Sequence, residues 1–328
     1  MAGMGKRLRP HTLTTAKPLI HVAGKPIVEH LVEDIVSVCK TQVNEIAFVT
    51  GRFGEEVEAR LIAVAQQLGA KGSIHYQDEA LGTAHAILCA ADLLNGPVTV
   101  AFADTLFTAD FTLDTTADGV LWVQKIDDPR QFGVVVIDPS GIITEFREKP
   151  QEFVSDLAMI GIYFFRNGEV LRAELQFLID NNIRNGGEYQ LPDALRNMVA
   201  KGARFVPGKV DDWMDCGNKQ ALVETNSRYL RHKFPSGSVG HNFKQLNSLI
   251  IPPCFIGDNV TLDSAIIGPG VSIGNGAKIA SSVVSNSIIM DSAEVKNSVL
   301  DGAVMGKSAR SIKGSDNLNL GDFSSIER

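Results

Sequence analysis

The most constraining feature of this chain is a set of aliphatic residues near its C-terminal end that recur every five or six positions. The recurring positions are Ile250, Ile256, Leu262, Ile267, Ile273, Ile279, Val284, Ile289, Val295 and Leu300. An amphipathic helix would repeat its apolar residues every three or four positions, and a half-buried strand would alternate them. Neither period fits, so the pattern requires a structure that turns a corner after each short apolar stretch.

Turn-forming residues fill the gaps in this pattern, at 257–259, 268–270 and 274–276. Gly, Asn and Asp suit tight corners because they tolerate positive φ or hydrogen-bond their own backbone. The segment resembles the hexapeptide repeat of a left-handed parallel β-helix, and an irregular β-meander is the alternative. We expect about three coils over residues 250–306. We also expect a polar linker at 233–249 and a polar tail at 307–328.

The first two-thirds of the chain alternates strand-like and helix-like segments. Apolar runs rich in β-branched residues occupy 45–50, 72–77 and 97–104, and helical patterns lie between them. This alternation favours an α/β domain with a mostly parallel, mixed sheet flanked by helices. We expect a Rossmann-like domain over residues 1–232. Its glycine loop should follow a first β-strand, and almost nothing precedes Gly3, so we expect that strand to be missing or truncated.

The segment near the N-terminus combines Gly3 and Gly5 with two basic residues, Arg7 and Lys17. Glycines let backbone N–H groups approach phosphate oxygens closely. An arginine offers a planar fork to the same anion, and a lysine offers a compact charge. The spacing matches neither the dinucleotide fingerprint nor the P-loop. The segment therefore predicts a phosphate-binding loop of another type, with an ordinary surface turn as the alternative.

Composition excludes several classes of function. The formal net charge of −7 argues against a surface for nucleic acid or anionic membranes, which would need clustered Lys and Arg. The four cysteines are scattered and form no C-x-x-C pair, which favours a reducing cytoplasm. No apolar run approaches the ~18 residues of a membrane span, so we expect neither a membrane span nor a signal peptide.

A series of ordered motifs carries a specific resemblance. G-x-G-x-R-L-x-P-x-T from Gly3 is followed by K-P-L at 17–19 and G-K-P-I at 24–27. This order resembles the signature of the sugar-phosphate nucleotidylyltransferases, which join a nucleoside triphosphate to a sugar 1-phosphate and release pyrophosphate. The resemblance extends to about residue 230. It implies that Ala2, Gly3 and Gly5 bind the nucleotide, while Arg7 and Lys17 act on its phosphates.

Two isolated acids fit the charge requirement of this reaction. The sugar phosphate is already an anionic nucleophile, so catalysis needs alignment and cations more than a general base. Asp104 ends the apolar run TVAFAD, and Asp215 lies in W-M-D-C-G at 213–217. The resemblance implies that both coordinate Mg²⁺ together with phosphate oxygens and water. Family members usually have Gly where this chain has Ala103, and the alternative for each acid is a cap or turn residue.

The remaining site residues follow from the same resemblance. Gln77 and L-G-T-x-H at 81–85 are similar to the pyrimidine pocket of members that use UTP or dTTP, so Gln77, Gly82 and Thr83 would bind the nucleotide. A turn capped by Thr83 at a helix start is the plain alternative. The sugar would be contacted by Gly133, Glu148, Gly161 and Glu188, and Lys149 would hold the sugar phosphate.

We therefore expect a Mg²⁺-dependent nucleotidyltransferase that uses dTTP or UTP and glucose 1-phosphate. A non-catalytic regulatory subunit is one alternative. An additional acyltransferase activity of the β-helix is another, but His241 is the only histidine beyond residue 232 and precedes the repeats. The open edges of a β-helix seek partners, which predicts a homo-oligomer.

Overall fold

The structure is a computed structural model of the full chain, and it describes residues 5–39, 42–109 and 116–327. The chain forms two compact units. Among the described residues, the first unit comprises 31–103 and 107–213 apart from the two gaps, and the second comprises 5–30, 104–106 and 214–327. In the described ranges, no helix has the length and apolar character needed to cross a membrane.

Six α-helices are present in the described ranges. They are α1 (Ile27–Cys39), α2 (Glu55–Gln67), α3 (Thr83–Leu88), α4 (Gly168–Asp180), α5 (Leu191–Ala200) and α6 (Lys219–Lys233). The strands up to residue 215 are β1 (His21–Val22), β2 (Lys25–Pro26), β3 (Glu45–Thr50), β4 (Lys71–Tyr76), β5 (Val98–Ala101), β6 (Thr105–Thr108), β7 (Gly119–Lys125), β8 (Gly133–Ile137), β9 (Ile143–Glu148), β10 (Leu157–Phe165), β11 (Phe205–Lys209) and β12 (Asp212–Asp215).

The later strands are short. They are β13 (Ser238–Val239), β14 (Lys244–Leu246), β15 (Leu249–Ile250), β16 (Cys254–Ile256), β17 (Thr261–Asp263), β18 (Ile266–Ile267), β19 (Val271–Ile273), β20 (Lys278–Ala280), β21 (Val283–Ser285), β22 (Ile288–Ile289), β23 (Glu294–Lys296), β24 (Val299–Asp301), β25 (Val304–Met305), β26 (Arg310–Ile312), β27 (Asn319–Leu320) and β28 (Ser325–Glu327).

The first unit is built on a mixed sheet of order β11-β7-β10-β8-β9, with β5 also paired to β10. Strand β10 runs antiparallel to β5, β7 and β8, whereas β11 runs parallel to β7. Strands β3 and β4 form a separate parallel pair. The predicted α/β class and mixed sheet are confirmed, although the pairs made by β10 are antiparallel.

The core of the first unit lies between the mixed sheet and helices α4 and α5. Leu121, Phe165 and Phe205 of the sheet are fully buried together with Leu175 and Leu195 of the two helices. Burying each such side chain contributes roughly 1.5–3 kcal/mol, so this packing keeps the sheet rigid beneath its loops. The loops at its edge therefore have a fixed support.

The second unit contains a parallel β-solenoid of about five turns. Its three sheets follow the orders β13-β16-β19-β22-β25-β27, β14-β17-β20-β23-β26-β28 and β15-β18-β21-β24. Ile256, Ile273, Ile289 and Met305 stand in register on the first sheet and are buried. Aliphatic side chains from successive coils thus fill the interior, which confirms the parallel solenoid predicted from the repeat.

The solenoid extends further in both directions than the aliphatic spacing predicted. Strands β13 and β14 lie within the predicted linker (233–249), and β15 begins at its last residue. Strands β26 to β28 lie within the predicted tail (307–328). These end strands carry polar residues such as Lys244 and Gln245, which a search for aliphatic residues passes over. Parallel pairing continues there because backbone hydrogen bonds do not depend on the side chain.

One corner of the coils is held by acidic and amide side chains. The backbone N–H of Asp258 donates to Asn275 Oδ1, and the N–H of Asn275 donates to Asp291 Oδ1, both at 2.8 Å. In the last coil, the N–H of Lys307 donates in the same way to Asp322 Oδ1 at 2.8 Å. Each bond satisfies a backbone donor that the turn leaves outside the strand ladders.

Helix α6 joins the β1–β2 hairpin to the solenoid within the second unit. The buried Asn226 Oδ1 accepts from the backbone N–H of Ala23 at 2.9 Å and from Ser272 Oγ at 2.6 Å. Its Nδ2 donates to the carbonyl of Gly270 at 3.1 Å. Since all of these bonds are buried, loss of Asn226 would leave several polar groups unsatisfied. The N-terminal segment is thereby attached to the repeats.

Candidate active site

The glycine loop of the second unit folds back on itself. Gly5 has φ of +52°, and its carbonyl accepts from Leu8 N at 2.9 Å and from Thr12 Oγ1 at 2.8 Å. A Cβ at Gly5 would lie 2.9 Å from Thr12 Cγ2 and 3.1 Å from Lys17 Cβ. Glycine is therefore required where the loop meets the lysine. The predicted nucleotide-binding residues Ala2 and Gly3 lie outside the described residues.

Lys17 and Asp104 form an ion pair in the same unit. The distance between Lys17 Nζ and Asp104 Oδ2 is 3.3 Å, and the side chains are 12% and 57% exposed, respectively. Asp104 lies in the turn between β5 and β6, and its carbonyl accepts from Cys216 N at 3.2 Å. This backbone bond connects the turn directly to the segment that carries Asp215.

Asp215 and Arg7 complete this group. Burial raises the pKa of the Asp215 carboxyl, the nearby charge of Asp104 raises it further, and Lys17 and Arg7 oppose the shift. A Cβ at Gly217 would lie 2.8 Å from Asp215 Oδ2 and 3.0 Å from Arg7 Nη2. The missing side chain of Gly217 therefore leaves room for both groups. We call Arg7, Lys17, Asp104 and Asp215 the phosphate cluster.

The charges of the phosphate cluster suit a polyphosphate with a divalent cation. Two neighbouring carboxylates repel each other, and a cation between them and nearby oxygens relieves this repulsion. Mg²⁺ is commonly held by one or two carboxylates, with waters and substrate phosphates as its other ligands. In the described ranges, no group of three or more potential His, Cys, Asp or Glu ligands gathers. The pair of acids nevertheless fits a Mg²⁺ ion that arrives with a triphosphate.

The predicted base-binding residues lie together in the first unit. Gln77 follows β4 and is buried, and its Nε2 lies 3.0 Å from the carbonyl of Gly82 and 3.1 Å from His85 Nδ1. A carbonyl can only accept, so the bond to Gly82 sets the orientation of the amide. Both N–H groups are then engaged, which leaves Oε1 as the atom that Gln77 offers to a ligand.

The loop before α3 is attached to the loop before α5. Ala84 N donates to the carbonyl of Tyr189 at 2.9 Å, and Leu191 N donates to Thr83 Oγ1 at 2.9 Å. A Cβ at Gly82, where φ is +109°, would lie 2.4 Å from the carbonyl oxygen of Tyr189. The same added atom would lie 2.9 Å from Glu188 Cβ, so the structure brings Glu188 beside the base loop. Thr83 bonds the first turn of α5 and makes no cap on α3.

Two of the predicted sugar residues, Gly133 and Glu148, lie together at the start of β8 and the end of β9. Gly133 pairs with Glu148, and a Cβ at Gly133 would lie 2.8 Å from Glu148 Oε2 and 2.6 Å from Met159 Cε. Lys149 has φ of +44°, and its Nζ lies 3.8 Å from Glu148 Oε1. Both charged side chains are exposed. The pair is therefore open to an anionic ligand from solvent.

Gly161 lies in an irregularity of β10. The register with β7 shifts between Met159 and Tyr163, and Gly161 within it has φ of +84°. Its carbonyl accepts from Phe102 N at 2.9 Å, and an added Cβ would lie 3.3 Å from the Phe102 ring. Glycine is the residue that adopts such a conformation without strain.

Sequence analysis missed several residues that hold these groups. Thr12 bonds the glycine loop, and Thr225 Oγ1 donates to the carbonyl of Asp215 at 2.6 Å. Thr12 stands in the quoted N-terminal motif, which was an available signal. Asn319 and Asp322 also bond the loop from the last coil, and nothing in their local sequence indicates this role.

A mixed-sheet α/β unit, and in the second unit a cluster of two cations and two carboxylates, fit an enzyme that acts on phosphate groups. A profile of the family described as Nucleotidyl transferase matches residues 1–232. The chain belongs to this family, and it is a sugar-1-phosphate nucleotidyltransferase with a C-terminal β-solenoid.

Characterised relatives differ in the substrates that their names state. The chain is 28% identical to a glucose-1-phosphate thymidylyltransferase of Streptomyces antibioticus, over 99% of this chain and 97% of the relative. It is 31% identical to a mannose-1-phosphate guanylyltransferase catalytic subunit beta of Danio rerio, over 80% of this chain and 72% of the relative.

Similarity to a solved structure supports the fold alone. The nucleoside-diphosphate-sugar pyrophosphorylase of Vibrio cholerae RC9 superposes with a TM-score of 0.60 at 18% identity. The match covers 69% of this chain and 97% of that chain.

Proposed function

We propose that this enzyme transfers the nucleotidyl group of dTTP or UTP to glucose 1-phosphate and releases pyrophosphate, with Mg²⁺ as its metal. The observation that carries the proposal is the phosphate cluster, in which Arg7 and Lys17 stand beside Asp104 and Asp215. A protein that only bound nucleotide-sugars as effectors would not need this pair of acids. The cluster therefore favours a catalyst over a regulatory subunit.

The two acids and the two cations of the phosphate cluster have different roles in the proposed reaction. Asp104 and Asp215 would hold Mg²⁺, which would neutralise charge on the phosphates when bound. Arg7 binds the β- and γ-phosphates, and Lys17 steadies the α-phosphate. The backbone of the glycine loop at Ala2, Gly3 and Gly5 contributes N–H donors. No covalent intermediate is required, because the sugar phosphate attacks the α-phosphorus in line.

Recognition of the base is assigned to Gln77, Gly82 and Thr83. Gln77 Oε1 would accept a hydrogen bond from the base edge, because its amide N–H groups are engaged by Gly82 and His85. Thymine and uracil offer an N–H there, whereas cytosine offers an acceptor. Gly82 lets the backbone approach the ring. These features support dTTP or UTP.

The sugar phosphate is assigned to the residues around β8, β9 and β10. Lys149 would hold the phosphate, and Glu148 would accept from sugar hydroxyls. Gly133 would contact sugar hydroxyls through its backbone, Gly161 would lie close to the sugar, and Glu188 would add a further acceptor. The exposure of Lys149 and Glu148 supports a site that an incoming anion reaches from solvent.

A second candidate is guanylyl transfer to mannose 1-phosphate. The relative of Danio rerio carries this activity in its name. The N1–H of guanine is also a donor, so Gln77 Oε1 would accept from it as well. An additional acyltransferase activity has less support, because His241 is the only histidine beyond residue 232 and is exposed.

The test is a matrix of dTTP, UTP, GTP, CTP and ATP against glucose, mannose and galactose 1-phosphates. Pyrophosphate release is measured with Mg²⁺ and with EDTA. We expect the largest kcat/KM for glucose 1-phosphate with dTTP or UTP, and no turnover in EDTA. The highest value for GTP with mannose 1-phosphate would replace the first candidate by the second. No release in any combination would contradict the catalytic proposal.

We also propose that the enzyme is a homo-oligomer, assembled through the third sheet of the solenoid. Leu249, Ile266, Val283 and Val299 stand in register there and are 55%, 41%, 38% and 59% exposed. We call these four residues the aliphatic column. A flat row of exposed aliphatic side chains is typical of a protein–protein interface. A second copy would cover it with an identical row.

The free thiols at all four cysteines support a reducing cytoplasm as the compartment.

A further inference from the structure

The loop that carries Arg7 and Lys17 is bonded to the last coil of the solenoid. His11 Nε2 and Asn319 Oδ1 lie 2.8 Å apart, and Asn319 Nδ2 donates to the carbonyl of Arg9 at 3.3 Å. Thr14 Oγ1 donates to Asp322 Oδ2 at 2.7 Å. All of these residues belong to the second unit. We call Asn319 and Asp322 the brace.

Asn319 differs from the residues in register with it in the two preceding coils. These are Val304 and Ile288, both buried and apolar. An asparagine in place of an aliphatic residue gives up apolar contacts and gains amide groups, and Asn319 is exposed. Here those groups bond His11 and the backbone of Arg9, so the replacement is matched to the loop.

Asp322 makes two kinds of bond with its two oxygens. Its Oδ1 accepts from Lys307 N, as Asp291 does from Asn275 N in an earlier coil. Its Oδ2 accepts from Thr14 in the loop. The corner of the coil thus needs one oxygen, and the other is available for the loop.

His11 is held in one state by these contacts. It is 2% exposed, and the Oδ1 atom of Asn319 can only accept, so Nε2 carries the hydrogen. Its Nδ1 atom is buried and has no partner among the described residues. Pro10, which precedes His11, is also closely packed. A Cβ at Gly321 would lie 3.0 Å from Pro10 Cβ. The middle of the loop is therefore fixed at successive positions.

We propose that Asn319 and Asp322 are positioning residues that hold the loop of residues 5–17 in the geometry that binds the triphosphate. The inference rests on the proposed function in one respect, namely the roles assigned to Arg7 and Lys17. The physical reason is proximity, because Arg7 precedes the fixed stretch and Lys17 follows it. A displacement of about 1 Å at a reacting group lowers a rate by up to about a hundredfold. The end of the solenoid thus acts in the reaction without touching substrate.

The test removes the hydrogen bonds between the brace and the loop by substitutions chosen to preserve the fold. Asn319→Val introduces the residue that occupies the same position one coil earlier, and Thr14→Val removes the hydroxyl that bonds Asp322. Thr14→Ser keeps that hydroxyl and is the conservative variant. Asp291→Ala is the matched control, because it removes the same kind of corner bond two coils before Asp322, from a residue that bonds Asn275 of the solenoid. Each is made in the full-length protein.

Three measurements are made on each variant: steady-state kinetics of pyrophosphate release, amide hydrogen exchange of peptides covering residues 5–20, and thermal unfolding. For Asn319→Val combined with Thr14→Val we expect kcat/KM for the triphosphate to fall about tenfold to a hundredfold. The KM for sugar 1-phosphate should stay within about twofold. Exchange in the loop should be about tenfold faster. The single variant Thr14→Ser should keep the kcat/KM and exchange rates of the parent protein.

The Asp291→Ala control should lower the unfolding temperature while leaving exchange in the loop and kcat/KM unchanged. Faster exchange in the brace variants with unaltered kcat/KM would overturn the positioning role, and unaltered exchange would overturn the brace itself. If the parent protein releases no pyrophosphate, the proposed function fails on its own. Calorimetric binding of Mg²⁺ with inorganic tripolyphosphate then replaces kinetics, and equal affinity in parent and brace variants would overturn the inference.

Discussion

At the scale of single residues, Asp104 and Asp215 have different surroundings although we propose one role for both. Asp104 is more than half exposed and paired with Lys17, whereas burial raises the pKa of Asp215. Substitution of Asp215 by Asn removes a charge that is costly to bury, so stability should not fall. Loss of activity in that variant would therefore report on the phosphates and the metal rather than on folding.

We expect Asp104→Asn and Asp215→Asn each to lower kcat by about a hundredfold to a thousandfold. The reason is the loss of a Mg²⁺ ligand beside the developing charge. Pyrophosphate release measured over a Mg²⁺ titration checks this, and the concentration of Mg²⁺ for half-maximal rate should rise. Asp92→Asn changes an exposed acid on the other unit and should leave both values unaltered. A near-native rate for Asp104→Asn would refute the metal assignment.

Gly161 offers a matched pair with Gly141. The two glycines have φ of +84° and +83°, but a Cβ at Gly161 would meet Phe102, whereas one at Gly141 would meet nothing within 4 Å. Gly→Ala at either position should cost about 1–2 kcal/mol of unfolding free energy, because the left-handed conformation strains an L-residue. Urea unfolding measures this cost.

The two alanine variants should differ in kinetics. If Gly161 borders the sugar, Gly161→Ala raises the KM for sugar 1-phosphate by about tenfold. The Gly141 variant should keep the parent KM despite a similar loss of stability. Equal KM values in both variants would remove Gly161 from the sugar site.

At the scale of elements, helix α1 is joined to β1 and α6 through a buried histidine. His30 Nε2 donates to the carbonyl of Val22 at 2.8 Å, and its ring lies 4.5 Å from that of Tyr229. Burial lowers the pKa of His30 to about 3, and the charges of Lys25 and Lys233 act in the same direction. The folded protein therefore keeps this imidazole neutral.

Stability should fall as the pH is lowered below 6.5, because the unfolded chain then binds a proton that folded His30 does not. The slope from one such group approaches about 1.4 kcal/mol per pH unit until the pH nears its folded pKa. Burial lowers the pKa of His11 too, so it adds to the slope. Urea unfolding from pH 7.5 to pH 4.5 would measure the effect.

Two histidine variants separate the contribution of His30 to the pH dependence of stability from the contributions of other titrating groups. His30→Gln should flatten the loss below pH 6.5, since no proton is gained at that position on unfolding. His241→Gln alters an exposed histidine, and this variant should show the same dependence of unfolding free energy on pH as the parent protein. Identical pH profiles for all three proteins would contradict the assignment.

At the scale of the whole molecule, the aliphatic column predicts how copies assemble. Ile266→Lys combined with Val283→Lys places two charges in the middle of the column, where burial against a second copy would desolvate them. We expect a smaller particle in sedimentation velocity, with an unchanged circular dichroism spectrum. Val239→Lys is the control, because Val239 is 53% exposed but lies on a different sheet. An unchanged mass in the double variant would exclude this interface.

Much of the fold could be predicted because its signals are local. Ile256 and Ile273 recur with their neighbours at a period that only a coiled strand accommodates, and α1 shows its apolar face at Ile27 and Leu31. The candidate site was predictable as a set of motifs, since a glycine before Arg7 or an acid after a strand has a chemical reason at short range. The antiparallel neighbours of β10 had no such signal, because pairing depends on residues far apart in the chain.

The sequence by itself therefore determined the α/β class, the parallel solenoid and the family, all of which follow from periods and motifs within short windows. The tertiary structure alone decided that Asp104 meets Lys17, that the solenoid runs on to Glu327, and that His11 meets Asn319 across 308 positions. Such contacts arise when distant segments pack and satisfy each other's polar groups. The energies of these contacts depend on which residues surround them, and those residues come together only in the folded chain.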